Sequence, residues 1–292
     1  MTQKTRFAPS PTGYLHEGHL LSALYVWAVA TIGGYLVHLR IEDHDQSRSR
    51  PEYIKAIYED LRWFGFDWDS QSLQSERHSV YEKALQKLAE NKLIYACDCS
   101  RKSLSLENPL GSDSEIIYQG HCLSKNLEIS PFTSIRLRVP PKTIQWNDLR
   151  LGPFSESPTA QCGDFTLKDR HEQWTYQFAV CVDDIDENIG IVVRGEDLRS
   201  STARQILLMS LLGKEHPPQY FHHPLLYDPS SMLKLSKRQH SESLRAQKTK
   251  GTTAEELLGK ICFNEHLLNK EVPISLNTAI FLFSKQIERY FA

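Results

Sequence analysis

Apolar positions in the first ninety residues switch between two periods. Arg6-Phe7-Ala8-Pro9 reads as a short strand running into a loop, Ser10-Pro11-Thr12-Gly13. Leu20, Leu21, Leu24, Trp27 and Ala28 then recur at spacings of three and four, which predicts a helix, and Gly33-Gly34 stops it. Residues 36–41 are a β-prone run, with acidic Glu42-Asp43-His44-Asp45 at its C-terminal end. Pro51 suits the first turn of a helix carrying Ile54, Ile57, Tyr58 and Leu61. A further helix is predicted over 79–91, with Val80, Ala84, Leu85 and Leu88 on its apolar face. Strands alternating with helices predict an α/β domain with a parallel sheet.

The texture changes near residue 96. Residues 102–134 are rich in Ser, Asn, Gly and Pro, as in a loop-dominated insertion. Ile135-Arg136-Leu137-Arg138-Val139 alternates strictly and predicts a half-exposed strand. The α/β texture returns near Asp164: 176–182 is apolar, 190–193 and 221–227 read as strands, and 201–212 as a helix. The last 50 residues look helical. The expected division is 1–95 and 164–240 as the two halves of one catalytic domain, 96–163 as an insertion between them, and 241–292 as a helical C-terminal segment.

Composition narrows the classes. A length of 292 residues suits one or two domains, and 40% apolar with 24% charged residues is ordinary for a globular chain. Disordered, collagen-like and small disulfide-framework proteins are excluded. With 34 basic and 36 acidic side chains the net charge is −2, so a strongly basic nucleic-acid coat is excluded, though a local basic groove is not. There is no apolar run of transmembrane length and no signal-peptide stretch, so a cytoplasmic location with no membrane partner is expected. In a reducing compartment cysteines serve as metal ligands or spectators more often than as disulfides.

Three motifs carry chemistry. In the first, the strand–loop of residues 6–13 leads through Tyr14-Leu15 into His16-Glu17-Gly18-His19 at a helix N-terminus. Exposed backbone N–H groups and the positive end of the helix dipole suit phosphate there. An imidazole can donate to a phosphate oxygen, and Gly18 allows a nucleotide close to the backbone. The second motif, Lys234-Leu235-Ser236-Lys237-Arg238, puts three cations in five residues, as a polyphosphate clamp would. The third is Cys97-x-Cys99 with Tyr118, His121 and Cys122. Thiolates at this spacing can converge on Zn²⁺, and on chemistry alone either His121 or Tyr118 could complete the set. Cys162, Cys181 and Cys262 are expected as buried spectators.

Together, H-x-G-H near the N-terminus and K-L-S-K-R after a late strand resemble the two signatures of the class I aminoacyl-tRNA synthetases. Arg6 to His16, Arg40 to Asp45, Tyr176 to Asp184 and Val193 to Leu198 are similar to the glutamyl branch, so the resemblance covers about residues 5–240. It implies a Rossmann-type parallel sheet split by a zinc-bearing insertion. It also implies a glutamate pocket in which Arg6 and Arg194 face substrate carboxylates and Glu42 holds the ammonium. Ser10 and the Ala8 backbone lie beside Glu42, and Tyr176 fixes the side chain. A guanidinium fork suits a carboxylate. His16, Gly18, His19, Lys234 and Lys237 are implied to handle ATP, with Mg²⁺ expected alongside it. Tyr118 is implied as the fourth zinc ligand with Cys97, Cys99 and Cys122. Glu17 departs from the family, which usually has an apolar or aromatic residue there. A carboxylate near ATP phosphates is repulsive unless it points elsewhere.

The implied reaction joins the glutamate α-carboxylate to the α-phosphate of ATP, releasing pyrophosphate, and then passes glutamate to an acceptor. Only 54 residues follow Arg238, too few for a usual anticodon-binding domain. With the cysteine element, this makes the resemblance closest to the glutamyl-queuosine tRNA(Asp) synthetases. Expected partners are therefore L-glutamate, ATP and tRNA(Asp) carrying queuosine, with the chain a monomer. A discrete glutamyl-tRNA synthetase charging a 3′ end, and a non-enzymatic glutamate- or tRNA-binding paralogue, are the other readings. Arg136 with Arg138, and Arg245 with Lys248 and Lys250, are candidate phosphate contacts.

Overall fold

The computed structural model describes residues 3–100, 102–104, 108–110, 115–226 and 242–291. Strand β1 (Lys4–Phe7) leads into helix α1 (Glu17–Gly33), which ends where Gly34 takes up φ +64° and lets the chain turn back into β2 (Leu36–Ile41). Helix α2 (Pro51–Phe64) starts at its proline, and β3 (Ser70–Leu73) follows. Strands β1, β2 and β3 are parallel, with Arg6 opposite His38 and Arg40 opposite Ser72. Strand β3 reads Ser-Gln-Ser-Leu, which carries no apolar pattern.

Helix α3 (His78–Glu90) then leads to β4 (Ile94–Cys97). Next come β5 (Ser134–Leu137), the hairpin of β6 (Ile144–Asp148) and β7 (Gly152–Glu156), a short helix α4 (Pro158–Gln161) and β8 (Thr166–Lys168). Strands β4, β5 and β8 form a small antiparallel sheet. The apolar stretch at 176–182 is helix α5 (Tyr176–Asp186), followed by β9 (Ile191–Gly195), α6 (Thr202–Leu211) and β10 (Gln219–His223). Strand β10 is parallel to β9 and, at Tyr220–Asp148, to β6. The β6–β7 hairpin thus joins the edge of the main sheet, so residues 96–163 contribute to two sheets.

The two parallel sets meet where β1 runs beside β9. Lys4 bridges Ile189 in parallel sense, and the Gly190 N–H donates to the Lys4 carbonyl at 2.8 Å. Strand β1 therefore lies between β2 and β9, where strand order reverses. Open α/β sheets bind ligands beyond the carboxyl ends of their strands at such a switch point. Helix α1 starts from that point and is buried on every side from Leu20 to Ala30 except at Ser22. One side lies on β1 and β9; the other is covered by α8 (Ala254–Asn264) and α9 (Leu276–Ile287), which follow α7 (Leu244–Thr249). A helix apolar all round needs such cover on both sides.

The strand at 134–137 corrects one expectation. Its alternation predicts a half-exposed element, yet Ile135, Arg136, Leu137 and Val139 are all buried. Arg136 lies with its guanidinium carbon 3.8 Å from the Tyr118 ring centroid and donates to the Asp164 carbonyl. It is thus turned inward, away from any RNA phosphate, while Arg138 is exposed. The expected phosphate contacts Arg245 and Lys248 also have partners inside the chain: Arg245 pairs with Glu59, and Lys248 lies 4.8 Å from the Trp63 ring. No described helix is long and apolar enough to cross a membrane.

Candidate active site

A cavity of about 420 Å³ opens beyond the carboxyl ends of β1 and β9. Arg6, Ala8, Ser10, His19, Glu42, Tyr176 and Arg194, drawn from four separated stretches of sequence, line it together. Strand β1 supplies Arg6 and leads to Ala8 and Ser10; Glu42 follows β2; Tyr176 begins α5; Arg194 is on β9.

The two arginines are held differently. Arg6 donates from Nε to Asp184 Oδ1 at 3.1 Å and from Nη1 to the Val193 carbonyl at 3.2 Å. Asp184 also receives Arg40 Nη2 at 2.7 Å, and Arg40 pairs further with Glu187. Arg40 is fully buried, and its three acidic neighbours, Asp183, Asp184 and Glu187, come from the end of α5 and just beyond. Burial alone would raise the Glu187 carboxyl, but the charge of Arg40 and the hydrogen bond from His38 hold it well below the usual range. Arg77 closes the cluster through Asp183 at 2.6 Å. Removing one member of such a cluster strands the others in low dielectric. This cluster belongs to no motif that points to a role; its visible signal in the sequence is the Asp183-Asp184 pair on an otherwise apolar stretch.

Arg194, by contrast, is hydrogen-bonded to Thr202, Gln205 and His222, and among the described residues no carboxylate forms a salt bridge with it. Glu42 is 5% exposed, and burial pushes its carboxyl up to about 7 against the pull of Arg40 and Arg6. The cavity wall thus offers a cation without an acidic partner and an acid that is easily ionised near neutrality. Tyr176 lines the same cavity, its hydroxyl raised by burial.

Helix α1 begins with a capping box made of histidines. His16 Nδ1 accepts from the Gly18 N–H at 3.1 Å, and His19 Nδ1 accepts from the His16 N–H at 3.2 Å. Each backbone donor occupies Nδ1, so each neutral ring carries its proton on Nε2. The two ring centroids are 3.9 Å apart. Two Nε2–H donors beside a helix N-terminus suit an anionic ligand. Glu17 turns away from this arrangement. Its Oε1 accepts from Lys260 Nζ at 2.7 Å and Gln247 Nε2 at 3.1 Å, which settles its conflict with a polyanion. Lys234 and Lys237 lie outside the described residues. Beyond them the chain returns to α1, where Ser243 bridges His16 and the Leu244 N–H donates to the Leu15 carbonyl.

The cysteine element also assembles. The sulfurs of Cys97, Cys99 and Cys122 all lie within 4.8 Å of one another. A tetrahedral zinc with Zn–S bonds of about 2.3 Å would place them roughly 3.8 Å apart, so the donor set fits. Tyr118 Oη lies 3.5 Å from Cys97 Sγ and 3.6 Å from Cys99 Sγ. His121 is exposed and outside the cluster, which favours Tyr118 of the two candidates. Burial raises the Cys97 thiol, but hydrogen bonds from Tyr118 and Arg136 more than reverse this. Gly163 holds Tyr118 in place: at φ +62°, an added Cβ would sit 2.0 Å from the Tyr118 carbonyl oxygen. Cys162, Cys181 and Cys262 are buried elsewhere.

Comparison with known proteins agrees with this architecture. Residues 2–263 match the family model of class I tRNA synthetases (E and Q), catalytic domain. The chain is 41% identical over 243 residues to a glutamyl-Q tRNA(Asp) synthetase from Bordetella bronchiseptica, covering 82% of this chain and 76% of that protein. It is 37% identical over 288 residues to one from Nitratidesulfovibrio vulgaris, covering 92% and 88%. The fold is shared with the crystal structure of a glutamate-tRNA synthetase from Elizabethkingia anophelis. There the TM-score is 0.77 at 24% identity, over 99% of this chain and 70% of that one. The chain therefore belongs to the class I tRNA synthetases of the E and Q type, alongside its glutamyl-Q tRNA(Asp) synthetase relatives.

Proposed function

We propose that this chain activates L-glutamate with ATP and transfers the glutamyl group to the queuosine base of tRNA(Asp). The observation that carries the amino-acid half is the cavity at the switch point. Arg194, without an acidic partner, meets a substrate carboxylate, and Glu42, once ionised, meets the ammonium. Arg6, Ser10, the Ala8 backbone and Tyr176 complete the wall. The α-carboxylate attacks the α-phosphate, and pyrophosphate leaves. The protein contributes positioning and stabilisation of phosphate charge. His16 and His19 donate from Nε2, Gly18 gives the nucleotide access, and Lys234 and Lys237 add positive charge. Mg²⁺ accompanies ATP.

The acceptor is supported by the relatives' names, glutamyl-Q tRNA(Asp) synthetase. Cys97, Cys99, Cys122 and Tyr118 would hold a zinc ion whose contribution is to fix the loops between β4 and β5. The activation step is tested by ATP–pyrophosphate exchange without tRNA. Exchange that depends on glutamate is expected. Its absence, under conditions where a control synthetase exchanges, would remove the enzymatic reading.

A further inference from the structure

Arg194 reaches the cavity with the protein side of its guanidinium occupied. Nε donates to His222 Nε2 at 3.0 Å, Nη1 to Gln205 Oε1 at 2.7 Å and Nη2 to Thr202 Oγ1 at 2.9 Å. All three acceptors are formally neutral when His222 is neutral. His222 can accept at Nε2 only if its proton is on Nδ1. That nitrogen lies 2.7 Å from Asp148 Oδ2, and both side chains are fully buried. Asp148 is itself anchored: Oδ1 accepts the Arg150 and Leu151 N–H groups, and Oδ2 also accepts the His222 N–H.

We propose that His222, set in one tautomer by Asp148, is a positioning residue for the amino-acid pocket, aiming the Arg194 guanidinium into the cavity without neutralising it. A carboxylate directly on Arg194 would compete with the substrate's own carboxylate. With the imidazole interposed, the acid orients the arginine from one ring away and leaves its charge available. The contrast lies within the same cavity, since Arg6 has its acid, Asp184, in direct contact. The β6–β7 hairpin acquires a role as well, because Asp148 is the last residue of β6 and pairs with β10 beside His222. This inference rests on Arg194 contacting a substrate carboxylate.

The test is glutamate-dependent ATP–pyrophosphate exchange with four variants of the full chain. His222→Met removes the acceptor and should raise the glutamate KM about tenfold or more, the usual effect of losing a charge-assisted hydrogen bond. The ATP KM should stay unchanged. His222→Gln, whose amide oxygen can take the place of Nε2, should recover most of the loss. Asp148→Asn presents an N–H to Nδ1, favours the wrong tautomer, and should reproduce the selective rise if His222→Met fails to fold. Arg194→Gln separates the two levels. If it leaves the glutamate KM unaltered, the reading of the pocket is wrong. If it raises that KM while His222→Met and Asp148→Asn do not, the positioning role is overturned. Equal increases in both KM values, or no rescue by glutamine, overturn it too.

Discussion

Glu42 is the residue whose chemistry is most exposed to experiment. An ammonium group binds its ionised form, and burial holds the carboxyl at about 7 in the free protein. Lowering the pH through that value protonates Glu42 and removes the partner. The glutamate KM should therefore rise about tenfold between pH 8 and pH 6, with Glu42→Gln showing a high and pH-insensitive KM. The same shift has a sign for stability. The folded state holds this proton more tightly than the unfolded chain, so ionisation erodes stability as pH rises from the usual carboxylate range to about 7. Glu42→Gln should melt above the parent at pH 8 and lose that advantage at pH 4. Of the wall residues, Arg6, Ser10, Glu42, Tyr176 and Arg194 were legible in sequence because they sit in motifs. Asp148 and His222, which lie behind that wall, were not legible, because a buried Asp–His pair 74 residues apart leaves no periodic or spacing signal.

At the scale of elements, legibility followed apolar pattern. Helices α1, α2 and α3 were visible as three- and four-residue spacings, since each buries a stripe or more of apolar side chains. Strand β3 was invisible because it is only half-buried and mostly polar, held by its ladder to β2 and by Ser70 and Ser72, which hydrogen-bond the ring of His38. Strand β5 misled because its alternating arginine is buried against an aromatic ring. Helix α1 links the sheet to the C-terminal helices, and Leu24 at its centre is fully buried. Leu24→Ala should cost about 3 kcal/mol in denaturant unfolding. Gly163 is an element-level constraint of another kind. Gly163→Ala forces Cβ into the Tyr118 carbonyl and should displace the tyrosine from the three sulfurs. Metal analysis of the purified variant is expected to show zinc well below one equivalent, against about one for the parent.

Across the whole molecule, a near-neutral charge conceals a strongly partitioned one. The interior carries an ion-pair cluster beneath the switch-point cavity, and Arg136, Arg245 and Lys248, three of the basic side chains expected to meet RNA, each contact a partner within the chain. What remains is a compact arrangement: a cavity that we propose takes a zwitterion, a helix N-terminus with two oriented imidazoles, and a cysteine cluster on the neighbouring sheet. Glu17 ties the second of these to the C-terminal helices through Lys260 and Gln247. The reaction's outcome turns on where the activated glutamate goes. The most direct measurement is transfer of labelled glutamate to tRNA(Asp) with and without queuosine, each tested before and after periodate treatment. Glutamylation confined to the queuosine-bearing tRNA, and abolished when periodate cleaves the queuosine diol, is the predicted result. Equal transfer to tRNA(Asp) lacking queuosine would contradict it.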